Sequence, residues 1–259
     1  MLAVGLILMA LAGPWLAPYD PESMHFASRF APPSWEFLLG TDSFGRDLLS
    51  RVLVGARSTI LLALLATIIG STVGALIGLI SAYFGGRIDE IIMRIVDAAM
   101  AIPGLLFALL IISALGSSAI NAVIAIGITF APGMARVSRS ITLTVREQDY
   151  VAAAVARGEG AAWIILREIA PNILAPVIVE STIRVAFAIM LLATLSFLGM
   201  GAQPPSPEWG LMISDARAHL YRSPWPVIAP GVAIATVAVA FNLLGDGLRD
   251  VLNPRVQGG

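Results

Sequence analysis

The chain has 259 residues, 58% of them hydrophobic and 13% charged, where a soluble domain is about a quarter charged, and this composition points to a polytopic membrane protein. A formal net charge of −1 offers no basic field for nucleic acid. The absence of cysteine excludes disulfides, thiolate metal sites and cysteine nucleophiles.

All basic residues are arginine, so no phosphate-binding GxxxxGK[ST] loop exists and the chain cannot itself be an ATPase of that kind. HExxH and GxSxG are also missing. His25 and His219 stand alone and form no metal-ligand pattern. These observations leave catalysis without a residue constellation.

Residues 1–17 read as a first transmembrane helix, because no basic residue opens the stretch as a signal peptide requires. The apolar run Met1–Leu16 is barely long enough, since a bilayer core takes about 20 residues. A few residues upstream of Met1 are expected to be missing. Residues 18–58 read as an extracytoplasmic segment. Within it, "GTDSFGRD" at 40–47 is a glycine-shaped turn with local ion pairs, having too few oxygen ligands for calcium.

Residues 59–259 form the transmembrane core, with apolar segments at about 59–84, 97–116, 119–136, 173–200 and 227–245. Six spans place both termini on one side. With that side inside, nine arginines lie on inner segments and six on outer ones, which puts both termini in the cytoplasm.

In the first core span, Gly70, Gly74, Gly78 and Ala82 recur every four residues and share one helix face. Such a face suits tight packing inside one bundle, and a subunit interface is the sharper alternative. Asp97 opens the next span, and Pro103 and Pro132 are candidate kinks. Glu180 and Arg184, an i, i+4 pair inside the fifth span, suit a structural pair and a place on a pathway equally well.

The stretch 137–172 is too polar to span. Asp149 is expected to N-cap a helix opening at Tyr150, with Arg157 in its last turn and Gly158 just past its end. After Gly160 a second helix is expected over 161–169, its apolar face at Ala162, Ile165, Leu166 and Ile169. Pro171 is expected to stop it and start the next span. An amphipathic loop covering the bundle's inner mouth is the default that physics alone gives this helix pair, and a docking knob for a soluble partner, favoured by the alanines and Gly158, is the alternative. A DNA-binding helix-turn-helix fits poorly, because Glu159 and Glu168 offset the arginines.

This segment resembles the "EAA" loop of ABC importer permeases. Ala152-Ala153-Ala154, then Gly158, then Glu168-Ile169-Ala170-Pro171 keep its spacing. Ala152 stands where that motif has Glu, and Ala170 where it has Leu; the first departure implies one polar contact fewer. "LAPYDP" (16–21), "LGTDSFGRDLLSRVLVGARSTI" (39–60), "YFGGRIDEIIMRIVD" (83–97), "LSFLGMGAQPPSPEWGLMI" (195–213) and "NLLGDGLRDVLNPR" (242–255) resemble the C-type subunit of the dipeptide/oligopeptide/nickel permease family.

The resemblance implies an all-α, six-span type I ABC importer permease fold, in which residues 137–172 carry the coupling helices. It implies that Tyr150, Ala152, Ala153, Ala154, Arg157, Gly158, Glu159 and Pro171 meet a cytoplasmic ATPase. Further implied partners are a second, homologous permease forming a heterodimer, two ATPase subunits that bind the ATP and Mg, an extracytoplasmic solute-binding protein and the plasma-membrane bilayer. No cofactor or metal is expected on this chain. A secondary transporter, the rival class, would show inverted repeats and midplane ionisable residues, and no convincing repeat is present.

Overall fold

The computed structural model describes residues 12–252, and the expected first span lies largely outside them. Among the described residues, four helices are long and apolar enough to cross a membrane, and a bent helix pair can supply a fifth crossing.

The first, α1 (Leu48–Phe84), has 37 residues. Asp47 starts it: one carboxylate oxygen accepts from the Ser50 backbone N–H at 2.8 Å and from the Ser50 hydroxyl at 2.7 Å. At 1.5 Å per residue α1 is about 55 Å long, against a hydrocarbon core of about 30 Å. Hydropathy therefore delimits only its apolar part, and the helix begins well before the expected residue 59. Gly85, at φ +64°, ends it.

The expected span 97–116 is broken. Residues Gly86–Met100 (α2) and Gly104–Leu115 (α3) meet at 92°. Pro103 has no N–H to give and disfavours helical geometry at Ile102, so the chain turns there rather than kinking. Alone, the 12-residue α3 reaches about 18 Å, too short to span.

Helix α4 (Ala119–Arg146) starts at Ser118, whose side chain accepts from the Asn121 N–H. It carries Pro132 inside and continues past the expected end at residue 136. Part of the expected loop 137–172 is therefore the last turns of α4. Its arginines are tied to neighbours there: Arg139 makes two hydrogen bonds to Asp89, at 2.6 and 2.5 Å, and Arg136 meets Asp97 at 2.5 Å.

Helices α1 and α4 run parallel in close contact. An added Cβ at Gly70, Gly74 or Gly78 would lie 2.7, 2.4 or 2.2 Å from the carbonyl oxygens of Gly127, Ala131 and Ala135. Ala82 is fully buried on the same face. The small-residue ladder is thus occupied within this chain, backbone against backbone. That geometry suits a medium where apolar surface gives helices no reason to associate. The Ser138 hydroxyl adds a hydrogen bond to the Ala75 carbonyl at 2.9 Å.

After a short helix α5 (Asp149–Ala156), the long α6 (Ala161–Phe197) returns along the bundle. Helix α7 (Trp209–Ala216) closes the end opposite α5, and α8 (Trp225–Leu252) packs on α6 and α1. Ile60, Ile112, Ile126, Ile189 and Leu192 form the core among α1, α3, α4 and α6.

Candidate functional site

The two ends of the bundle are built differently. At the α7 end, Glu208 is fully buried and accepts from the Gly210 and Leu211 N–H groups at 3.0 and 2.9 Å. Trp209 inserts against α1 and donates its indole N–H to the Val52 carbonyl at 3.0 Å. Arg51 is buried too and donates to the carbonyls of Pro21 and Ser206. These contacts clamp segments distant in sequence, and the expected ion-pair turn at 40–47 lies beside them, with Arg46 on Asp42 at 2.6 Å. The clamp could not be read from "QPPSPEWG", which looks like a polar loop until Glu208 is seen capping α7.

The α5 end presents a surface. Gln148, not Asp149, caps α5: its carbonyl accepts from the Val151 and Ala152 N–H groups at 3.0 and 3.2 Å. Asp149 becomes the first helical residue, where its charge still faces the positive helix end. The other end closes with two hydrogen bonds, Gly158 N–H to Val155 O at 2.9 Å and Glu159 N–H to Ala154 O at 3.2 Å. That pair requires a left-handed residue between helix and exit, and Gly158 supplies it at φ +79°. An added Cβ there would meet nothing within 4 Å, so conformation, not space in this chain, demands glycine.

The alanine run divides. Ala154 is fully buried with Val151 against Leu79, Ile164, Ile169 and Ile173, so it holds α5 to its own bundle and offers nothing to a partner. Ala152 and Ala153 face outward. Around them lie Tyr150 and Trp163, with Val155 58% exposed and Leu166 65% exposed. Burial raises the Tyr150 phenol above its ordinary value, with a further contribution from the Glu168 charge. Arg157 stands 3.7 Å from Glu159, 3.5 Å from Glu168 and 5.8 Å from the centre of the Trp163 ring. It ties the outer end of α5 to α6.

Two expectations for α6 are corrected by one local feature. Residues Ile164–Ile169 form a π-helical turn. The extra residue in that turn shifts the buried face, so Ile164 and Ile169, five apart, both point inward, followed by Ile173 and Val177. The face expected from regular spacing put Leu166 inside, where it is mostly exposed. Pro171 does not stop the helix. It falls in the first turn after the π segment, and α6 runs through it. The Ala170 N–H bonds to Ile165 O, and Asn172 Nδ2 donates to the Glu168 carbonyl at 2.6 Å. Side-chain and i→i+5 bonds thus keep the turn satisfied around a proline.

Glu180 and Arg184 form an ion pair at 2.9 Å on α6, some way into the bundle from the α5 surface.

This is a polytopic, all-helical permease fold with one short helix presented across an end of its bundle. The model of binding-protein-dependent transport system inner membrane components matches residues 74–258, and the chain belongs to that family. The N-terminal domain of oligopeptide transport permease C matches residues 1–33. The chain is 42% identical over 258 residues to the di/tripeptide transport system permease protein DppC of Pseudomonas aeruginosa, covering 97% of this chain and 85% of that one. It is 42% identical to the probable D,D-dipeptide transport system permease protein DdpC of Escherichia coli, covering 100% and 87%. The glutathione transport system permease protein GsiD of Escherichia coli is 41% identical, with 98% and 84% covered. Among solved structures, an inward-facing MetNI methionine ABC transporter chain matches with a TM-score of 0.64 and 16% identity, covering 78% of this chain and 97% of that one. The fold is that of a type I ABC importer permease.

Proposed function

We propose that this chain is the membrane-spanning subunit of an ATP-driven importer of di- or oligopeptides, working by alternating access. One observation carries the reading: a glycine-terminated α5 bearing Ala152, Ala153, Tyr150 and Val155 outward, on a chain 42% identical to a di/tripeptide permease. Small outward side chains let a partner's backbone approach closely. The surrounding apolar residues supply contact area, and Arg157 with Glu159 gives the patch a polar edge.

In this reading the α5 end lies in the cytoplasm, as do both termini, and an ATPase pair holding ATP and Mg docks there. A homologous second permease completes the pathway, and a solute-binding protein delivers peptide at the α7 end. Closure of the ATPases moves α5, and α6 carries the displacement into the membrane. A docked partner biases the transporter only through contacts that differ between its two states, and a surface at the root of α6 can make such contacts. The glutathione permease relative favours glutathione, itself a peptide, as a second substrate reading. Uptake of labelled dipeptide into proteoliposomes holding the complete importer is expected to stop when the partner ATPase is inactivated. Uptake that persists on an ion gradient would refute the importer reading.

A further inference from the structure

The stretch of α6 from Ala170 to Phe197 contains only two charged residues, Glu180 and Arg184. A charge at such depth faces a partner or a water-filled path. Glu180 Oε1 engages Arg184 Nη2 at 2.9 Å, while Arg184 Nε is buried and has no hydrogen-bond partner among the described residues. The guanidinium rests on α4 where a side chain is missing: an added Cβ at Gly133 would lie 3.2 and 3.3 Å from its two terminal nitrogens. The Phe130 ring centre is 5.9 Å away. The pair is not sealed, since the side chains retain 18% and 32% of their accessible surface. The α2–α3 break lies along the same row of α4, with Gly104 over Thr129 and Asp97 on Arg136, one turn to either side of Gly133.

We propose that Arg184, held in place by Glu180, binds the terminal carboxylate of a peptide in transit, an inference that rests on the peptide reading above. A guanidinium has five N–H donors in a planar fork that matches a carboxylate with two parallel bonds. Glu180 engages Nη2 alone and Nε is covered, so a second anion is met at the end of the fork, by Nη1 and the remaining Nη2 hydrogen. Gly133 and Phe130 fix the plane of the fork without using its donors.

The test uses the complete importer in proteoliposomes with ATP, and one labelled dipeptide offered with a free carboxylate or as its C-terminal amide. The ratio of the two uptakes in a variant is compared with that in the wild type, so the binding protein's own preference cancels. Arg184→Gln is expected to lower uptake of the free-carboxylate peptide about tenfold or more relative to the amide. Arg184→Lys keeps the charge but loses the fork and should give a smaller drop of the same kind. It carries the measurement if Arg184→Gln does not assemble. The exchanged pair, Glu180→Arg with Arg184→Glu, should assemble yet leave the carboxylate preference lost. Equal losses for both peptides, or full restoration of both by the exchanged pair, would overturn the proposal. Wild type that imports neither peptide would overturn the peptide reading itself, and this inference with it.

Discussion

Replacing Gly158 separates what α5 needs for itself from what a docked partner needs. In this chain the residue sits at φ +79° with open space where a Cβ would go. Alanine there meets no atom and costs only the left-handed backbone, about 1–2 kcal/mol. Falling on the two bonds that close the helix, that loosens the last turn of α5 by about five- to thirtyfold. It leaves the buried anchors Val151 and Ala154 in place. Asparagine tolerates the same backbone at lower cost but adds a larger side chain. If partner approach over Gly158 is what matters, Gly158→Asn should impair ATPase co-purification and ATP-driven uptake at least as much as Gly158→Ala. If the helix end alone matters, asparagine should be the milder change. Gly160, at φ −73° and equally unobstructed, provides the control, and Gly160→Ala should behave like the wild type. Gly158→Trp with co-purification and uptake both at wild-type levels would refute the docking argument.

Gly74→Ala places a methyl carbon 2.4 Å from the Ala131 carbonyl oxygen and should destabilise by about 1–3 kcal/mol. Gly247→Ala, in open space on α8, should gain about 0.5–1 kcal/mol, and thermal aggregation in detergent should rank the two on opposite sides of the wild type. Burial raises the Glu208 carboxyl above its ordinary value, against the pull of the Gly210 and Leu211 N–H groups, so the folded chain holds that proton more tightly than the unfolded one. The group's contribution is greatest below the ordinary glutamate value and declines as pH rises from there towards the folded pKa. Glu208→Gln should therefore flatten the melting profile across that window, and a wild-type advantage that grows with pH would contradict the assignment. Arg157 is half exposed, with both carboxylates at 3.5 Å or more. Arg157→Ala should thus cost no more than about 1 kcal/mol in a thermal melt, while a loss of ATPase association would place Arg157 at the docked interface.

Backbone-level packing was legible in the sequence wherever side chains were small. The four-residue spacing of Gly70, Gly74, Gly78 and Ala82 needs only helix geometry to become one face, and that face is the contact with α4. Gly158 could be placed because few residues accept a positive φ. The broken span was not legible, since hydropathy runs unbroken through Pro103 and bilayer helices often absorb a proline. Spacing arguments also assume 3.6 residues per turn, so the π turn at Ile164–Ile169 moved the buried face away from Leu166. Glu208 escaped notice for a different reason. Its capping bonds are local, to Gly210 and Leu211, but it is buried in an end of the bundle where Trp209 reaches Val52, a contact between residues far apart in the chain.

The α1–α4 contact also limits how the molecule can move. Its meshing points repeat every four residues on both helices, Gly70 to Gly127, Gly74 to Ala131 and Gly78 to Ala135, so the two rods are toothed at a pitch of about 6 Å. A smaller slide would take the glycines off the carbonyl oxygens that only a residue without a Cβ admits so closely, and a full step would pull Arg146 off the Ala82 carbonyl it holds at 2.9 Å. The two helices are therefore packed as one piece, and in the proposed transport cycle the sliding surfaces are expected where α6 and α8 meet it.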